Sequence, residues 1–200
     1  MQQLRNGPRL TVPERAGLVL AAAATLVIAT ALSVAADPWG TGTSDTGAHP
    51  DADPHTYCYS SSVGSDLREN IENAEWNAMD PTAVNVNYQS SCDLSSSSET
   101  DVVWRQAALS GAYGSTYCED FDNHCDQFYS TLDLAAINVG ANDEIDQTQT
   151  ACHELGHTGG LTHGGSSGDC MINSGDNPPT DVQYRRYGEH HRSHLTAWFN

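Results

Sequence analysis

The chain has 200 residues, enough for one ordinary domain. Its eight basic residues are all arginine and face 26 acidic ones, giving a formal net charge of −18. That balance repels a phosphate backbone and argues against DNA or RNA as partners, while 38% hydrophobic residues supply one core and exclude a wholly disordered chain.

Arg5, Arg9 and Arg15 precede an uncharged run, 16–36, rich in Ala, Leu and Val and closing on Ser33-Val34-Ala35. A basic start, an apolar stretch and small residues at the −3 and −1 positions describe a secretory signal peptide cleaved after Ala35 or Ala36. The run is also long enough to cross a bilayer as an uncleaved anchor. Either way the remainder is expected outside the cytoplasm, secreted or held at the membrane by 16–36. Residues 37–54 are rich in Gly, Thr, Asp and Pro without apolar periodicity, and read as a linker or short pro-segment. The folded domain is expected over 55–200.

Within it, 56–60 reads as a short strand. Leu67, Ile71, Ala74 and Ala78 form a helical stripe, so 65–79 is an amphipathic helix with Ser65 as N-cap, ended by Pro81. Val84, Val86 and Tyr88 alternate with Asn as a half-buried strand, and 102–104 is a third strand. The apolar stretch 131–139 reads as a central strand. A helix over 142–158 follows, with Ile145, Thr148, Cys152 and Leu155 facing inward. Tyr184, Tyr187, His191, Leu195 and Trp198 share one face of a last helix, weakened by Gly188. This order of elements predicts an α+β or α/β layer with helices on one mixed sheet.

Residues 153–163 read His-Glu-Leu-Gly-His-Thr-Gly-Gly-Leu-Thr-His. His153 and His157, four apart on a helix, share a face and can both reach one Zn²⁺ at ~2.1 Å. Glu154 projects beside the metal, where a carboxylate can take a proton from zinc-bound water. Gly159-Gly160 can end the helix and turn the chain so that His163 returns as third ligand. Three protein ligands and one water make a catalytic zinc site, whereas a structural site usually closes the fourth position. His-Glu-x-x-His alone is expected by chance in about 2% of chains of this composition, and adding Gly160 and His163 lowers that to roughly one in ten thousand. The extended pattern therefore carries the reading.

His153-Glu154-x-x-His157-x-x-Gly160-x-x-His163 resembles the extended zinc signature of the metzincin metallopeptidases. Met171, in Asp169-Cys170-Met171-Ile172-Asn173, is similar to the methionine that lies beneath the metal in that family. The strong resemblance covers about 150–174, and the short chain is similar to the small secreted bacterial members. It implies an α+β fold with a mixed five-stranded sheet, a backing helix, an active-site helix and a small C-terminal subdomain ending in a helix. It also implies a monomeric zinc endopeptidase with Glu154 as general base, acting on extended polypeptides laid along an edge strand, with 111–130 as candidate rim. Two features depart from the family pattern. Some metzincins carry Tyr two residues after the Met, where this chain has Asn173, and some small bacterial members carry Asp where this chain has His163. No cysteine-switch motif is present. The other reading is a non-catalytic extracellular binding or cell-surface module with a structural zinc; the presence of Glu154 favours the enzyme.

Six cysteines allow 15 connectivities, and the sequence does not choose among them. If Met171 underlies the metal, as the resemblance implies, Cys152 and Cys170 can bridge helix to turn, Cys118–Cys125 would staple a local loop, and Cys58–Cys92 would remain. Glu119, Asp120, Asp122 and Asp126 form either a Ca²⁺ site or a solvated acidic loop, and no Gly occupies the turn position of a calcium loop. His190, His191 and His194 form either a second metal site or a packed helix face.

Overall fold

A computed structural model describes residues 49–51, 54–95, 98–121, 124–139, 141–163, 169–172 and 185–200, all within the compact unit Ser33–Asn200. The N-terminal segment 1–36, most of 37–54, Asp122, Asn173 and Tyr184 lie outside the described residues.

The fold is α+β, built on a mixed five-stranded sheet. The strands are β1 (His55–Tyr59), β2 (Val86–Tyr88), β3 (Val102–Gln106), β4 (Gly114–Phe121) and β5 (Cys125–Leu132), in the order β2-β1-β3-β5-β4. All neighbours pair in parallel except the β4–β5 hairpin, which is antiparallel and leaves β4 at an edge. Alternation sorts the side chains between two faces. Tyr57, Val102, Trp104 and Leu132 join the main core with Leu67, Ile71 and Leu155 from the helices. On β1, β3 and β5, Cys58, Val103 and Tyr129 form a smaller cluster with Cys92 packed against it.

Helix α1 (Ser65–Ala74) continues into one π-helical turn, Glu75–Met79. Gly64, not Ser65, occupies the N-cap; the Ser65 hydroxyl is spent on its neighbour Asp66, 3.0 Å away. The expected strand over 131–139 is corrected: β5 ends at Leu132, and Leu134–Ile137 form a short helix, α2. The cause is Asp133, whose carboxylate accepts hydrogen bonds from the Ala135 and Ala136 amides and caps that turn. The candidate rim 111–130 largely forms the β4–β5 hairpin. Helix α3 (Asp143–Thr158) and helix α4 (Glu189–Phe199) complete the fold.

Residues 49–51, ahead of β1, also pack on the domain. The Cys125 amide donates to the His49 carbonyl at 2.7 Å, Pro50 bridges to Cys125, and Trp198 of α4 stacks on His49 at 4.5 Å and donates to the Pro50 carbonyl. Three disulfides form, Cys58–Cys92, Cys118–Cys125 and Cys152–Cys170, as expected of an oxidising environment. Among the described residues no helix is long and apolar enough to cross a membrane.

Candidate metal centre

Helix α3 opens with Asp143, Glu144 and Asp146, which complement the positive end of its dipole, and then runs through the core. Two of its buried polar residues are matched there: Asn70 of α1 donates to Gln147 at 2.8 Å and accepts from Thr148 at 3.3 Å. Gly159-Gly160 ends the helix in a Schellman turn. The Leu161 amide reaches back to the Gly156 carbonyl at 2.9 Å and the Gly160 amide to that of His157 at 3.0 Å. Gly160 carries φ +81°, the left-handed conformation this turn requires. The reversed chain delivers His163 back to the helix face that holds His153 and His157.

The three imidazoles converge. Nε2 of His153 lies 3.3 Å from that of His157 and 3.0 Å from that of His163. Two of the rings are oriented from behind: Nδ1 of His153 donates to the Cys170 carbonyl at 2.7 Å, and Nδ1 of His157 to the Leu161 carbonyl at 2.9 Å. With the proton on Nδ1, each Nε2 presents a lone pair to the shared point. Burial, helped by the neighbouring His163 and opposed by the bond to the Leu161 carbonyl, holds His157 down to about 4, so this imidazole is neutral at physiological pH. Nitrogens gathered at these distances are reconciled either by a shared proton or by a cation lying between them. Tetrahedral ligands ~2.1 Å from a metal stand ~3.4 Å apart, close to the spacing seen here. The residues present therefore fit a metal ion. Among the described residues, this trio is the group of three potential ligands whose donor atoms lie within 4.8 Å of one another.

Glu154 is 4% exposed and lies outside the trio. Its Oε2 accepts a 2.7 Å hydrogen bond from the Thr116 hydroxyl of β4, and Thr116 in turn lies 3.0 Å from the Ser130 hydroxyl of β5. Gly114 on the same edge strand leaves room for the carboxylate; a Cβ there would come within 2.6 Å of Glu154 Cγ. Met171 is fully buried, and its thioether packs on Gly156, one turn of helix between the two α3 ligands.

Among the described residues, neither of the other candidate clusters brings three ligand atoms together. Glu119 and Asp120 project into solvent from β4, and with Asp126 they bring no set of three ligand atoms together, so the structure gives no support for Ca²⁺ among the described residues. His190 is exposed, whereas His191 is buried and turned to Asp169. Sequence reasoning missed Thr116, Ser130 and Asp169. The β-branched and aromatic residues Thr116, Tyr117, Phe128, Tyr129 and Thr131 are a strand signal that could have revealed the hairpin and so placed Thr116 beside α3. No family model matches the sequence, and no curated protein is recognisably similar to it.

Proposed function

We propose that the chain is an exported zinc metalloendopeptidase of metzincin type, with His153, His157 and His163 as ligands and Glu154 as general base. The observation that carries this reading is the convergence of three Nε2 atoms, with Glu154 next in sequence to the first of them and its carboxylate held by Thr116 of the edge strand. Three imidazole nitrogens suit zinc, and three ligands leave a position for solvent and substrate. When bound, zinc supplies an acidified water and a Lewis acid for the scissile carbonyl.

The chain's own residues do the rest. Glu154 takes the proton of the attacking water and returns it to the leaving amine. Thr116 fixes the carboxylate by donating to Oε2. Among the described residues β4 has no strand partner on its outer side, and an extended polypeptide would add there as a further strand. The first turn of α3 and the acidic tip of β4 disfavour nucleic acid as the occupant.

The test is cleavage of an unstructured protein substrate by the purified chain, with metal content measured alongside. One zinc per chain and cleavage abolished in Glu154→Ala, with zinc retained, are the expected results. Zinc binding with no cleavage by wild type would instead favour a binding module with a structural metal.

A further inference from the structure

The third histidine and Leu161 are supplied by the turn after α3, but the orientation of His153 depends on a residue 17 positions away. Its Nδ1 donates to the Cys170 carbonyl. What fixes that carbonyl is the segment leading into α4. The Cys170 amide donates to the Arg186 carbonyl at 3.1 Å, and the Tyr187 hydroxyl to the Cys152 carbonyl at 3.0 Å. Between them sits Asp169, 1% exposed. Its Oδ1 accepts from the Met171 amide at 2.9 Å, and its Oδ2 from the Gly188 amide at 2.7 Å and from Nδ1 of His191 at 2.5 Å.

We propose that Asp169 and His191 form a positioning pair that locks the Cys170–Met171 turn to α4 and thereby aims the His153 lone pair at the metal. The inference rests on the reading of the three histidines as a metal site. Three features of the geometry support it, and the electrostatics of Asp169 agree. The carboxylate spans the turn, with one oxygen on Met171 and the other on the α4 entry. Gly188 permits the close approach, since a Cβ there would stand 2.8 Å from Oδ2. Nε2 of His191 is buried with no hydrogen-bond partner among the described residues, so the ring engages through Nδ1 alone. Although burial pushes Asp169 upward, its bonds to His191, Met171 and Gly188 hold it below the usual carboxylate range. The Cys152–Cys170 disulfide tethers the same turn to α3. A disulfide fixes separation, however, and leaves the direction of the following carbonyl to its hydrogen bonds. Partners of this outer kind are worth ten- to a hundredfold in metal affinity.

The test uses the full chain, with Zn²⁺ affinity from chelator competition and the ligand-field spectrum of the Co²⁺-substituted protein. His191→Phe removes the donor, whereas His191→Asn places an amide N–H where Nδ1 was. His191→Phe should bind Zn²⁺ ten- to a hundredfold more weakly with an altered Co²⁺ spectrum, and His191→Asn should stay within about threefold of wild type. Asp169→Asn, which keeps an acceptor for Met171 but not for both other donors, should resemble His191→Phe. A folded His191→Phe or Asp169→Asn with wild-type affinity and spectrum would overturn the proposal, showing that the disulfide alone suffices. Loss of fold in both would also overturn it, making the pair a folding element. Wild type that binds neither ion would fail the underlying metal-site reading as well, a result distinct from wild type and variants binding alike.

Discussion

The candidate centre has two halves assembled in different ways. All three ligands and Glu154 fall within eleven consecutive residues, 153–163, on one helix and the turn that ends it. The groups that orient them come from elsewhere: Thr116 and Ser130 from the edge hairpin, Cys170 from the methionine turn, and Asp169 with His191 joining that turn to α4. The first half sets what chemistry is available and the second sets how well it is aimed. Damage to the first should abolish function, and damage to the second should grade it.

The largest effect is therefore expected from Glu154→Gln, which keeps size and removes the base. Peptide hydrolysis should fall by about 10²–10⁴-fold while zinc content stays at wild type, checked by assay and metal analysis on one preparation. Loss of zinc in this variant would move Glu154 from the chemistry to the scaffold. On the orienting side, Thr116→Val should lower kcat about tenfold with little change in KM, because the carboxylate is retained but loses its fixed direction. Thr116→Ser, which keeps the hydroxyl, should recover most of the rate. A fall in Thr116→Ser with Thr116→Val near wild type would mean that packing of the threonine methyl matters rather than its hydrogen bond.

Between the halves stands Gly156, on the ligand helix but pressed against Met171 and Tyr187. Gly156→Ala drives a methyl into the thioether and should destabilise the fold by about 1–3 kcal/mol by denaturant unfolding. Gly160→Ala imposes a positive φ on a residue with a Cβ and should cost about 1–2 kcal/mol, with metal affinity falling in parallel as the turn that returns His163 is strained.

The effects furthest from the centre lie in pH dependence, and two buried groups away from the ligand set give opposite signs. Burial lowers His55 from 6.5 to about 4; the ring lies 2.9 Å from the Thr158 hydroxyl. Between those values the unfolded chain binds a proton that the folded chain refuses, so His55 costs stability as pH falls through 6.5 toward 4. Burial raises Glu75 from 4.5 to about 8, its one bond from Trp104 opposing the shift only in part. Between those values the folded chain keeps a proton the unfolded chain releases, so Glu75 costs stability as pH rises through that window. Glu75→Gln should flatten a stability–pH curve between about 4.5 and 8 and leave it unchanged below 4.5. A curve unchanged at both ends would show that Glu75 ionises freely in the folded protein.

The same division between local and distant structure explains what the sequence could convey. Helix α3, its glycine stop and the trio of histidines follow from spacing, because each depends on residues within one or two turns. The parallel strands β1 and β3 follow from apolar runs. The 131–139 stretch misleads because one side chain, Asp133, outweighs the apolar pattern by capping a helix inside it. The β4–β5 hairpin escapes because its edge strand alternates weakly and carries exposed acids, as solvent-facing edges do. Asp169 and His191 escape because nothing local in either segment announces a partner 22 residues away; His191 sits on the buried stripe and passes for packing. Hydrogen bonds that join distant segments leave no period in the chain.

The central claim is that three imidazole nitrogens surround one zinc ion and leave one position open. Zinc K-edge absorption on the purified chain tests this directly. It should show one zinc per chain with three imidazole nitrogens at ~2.0–2.1 Å and a single light oxygen scatterer. Fewer than three imidazoles, a sulfur ligand, or no stoichiometric zinc would contradict it.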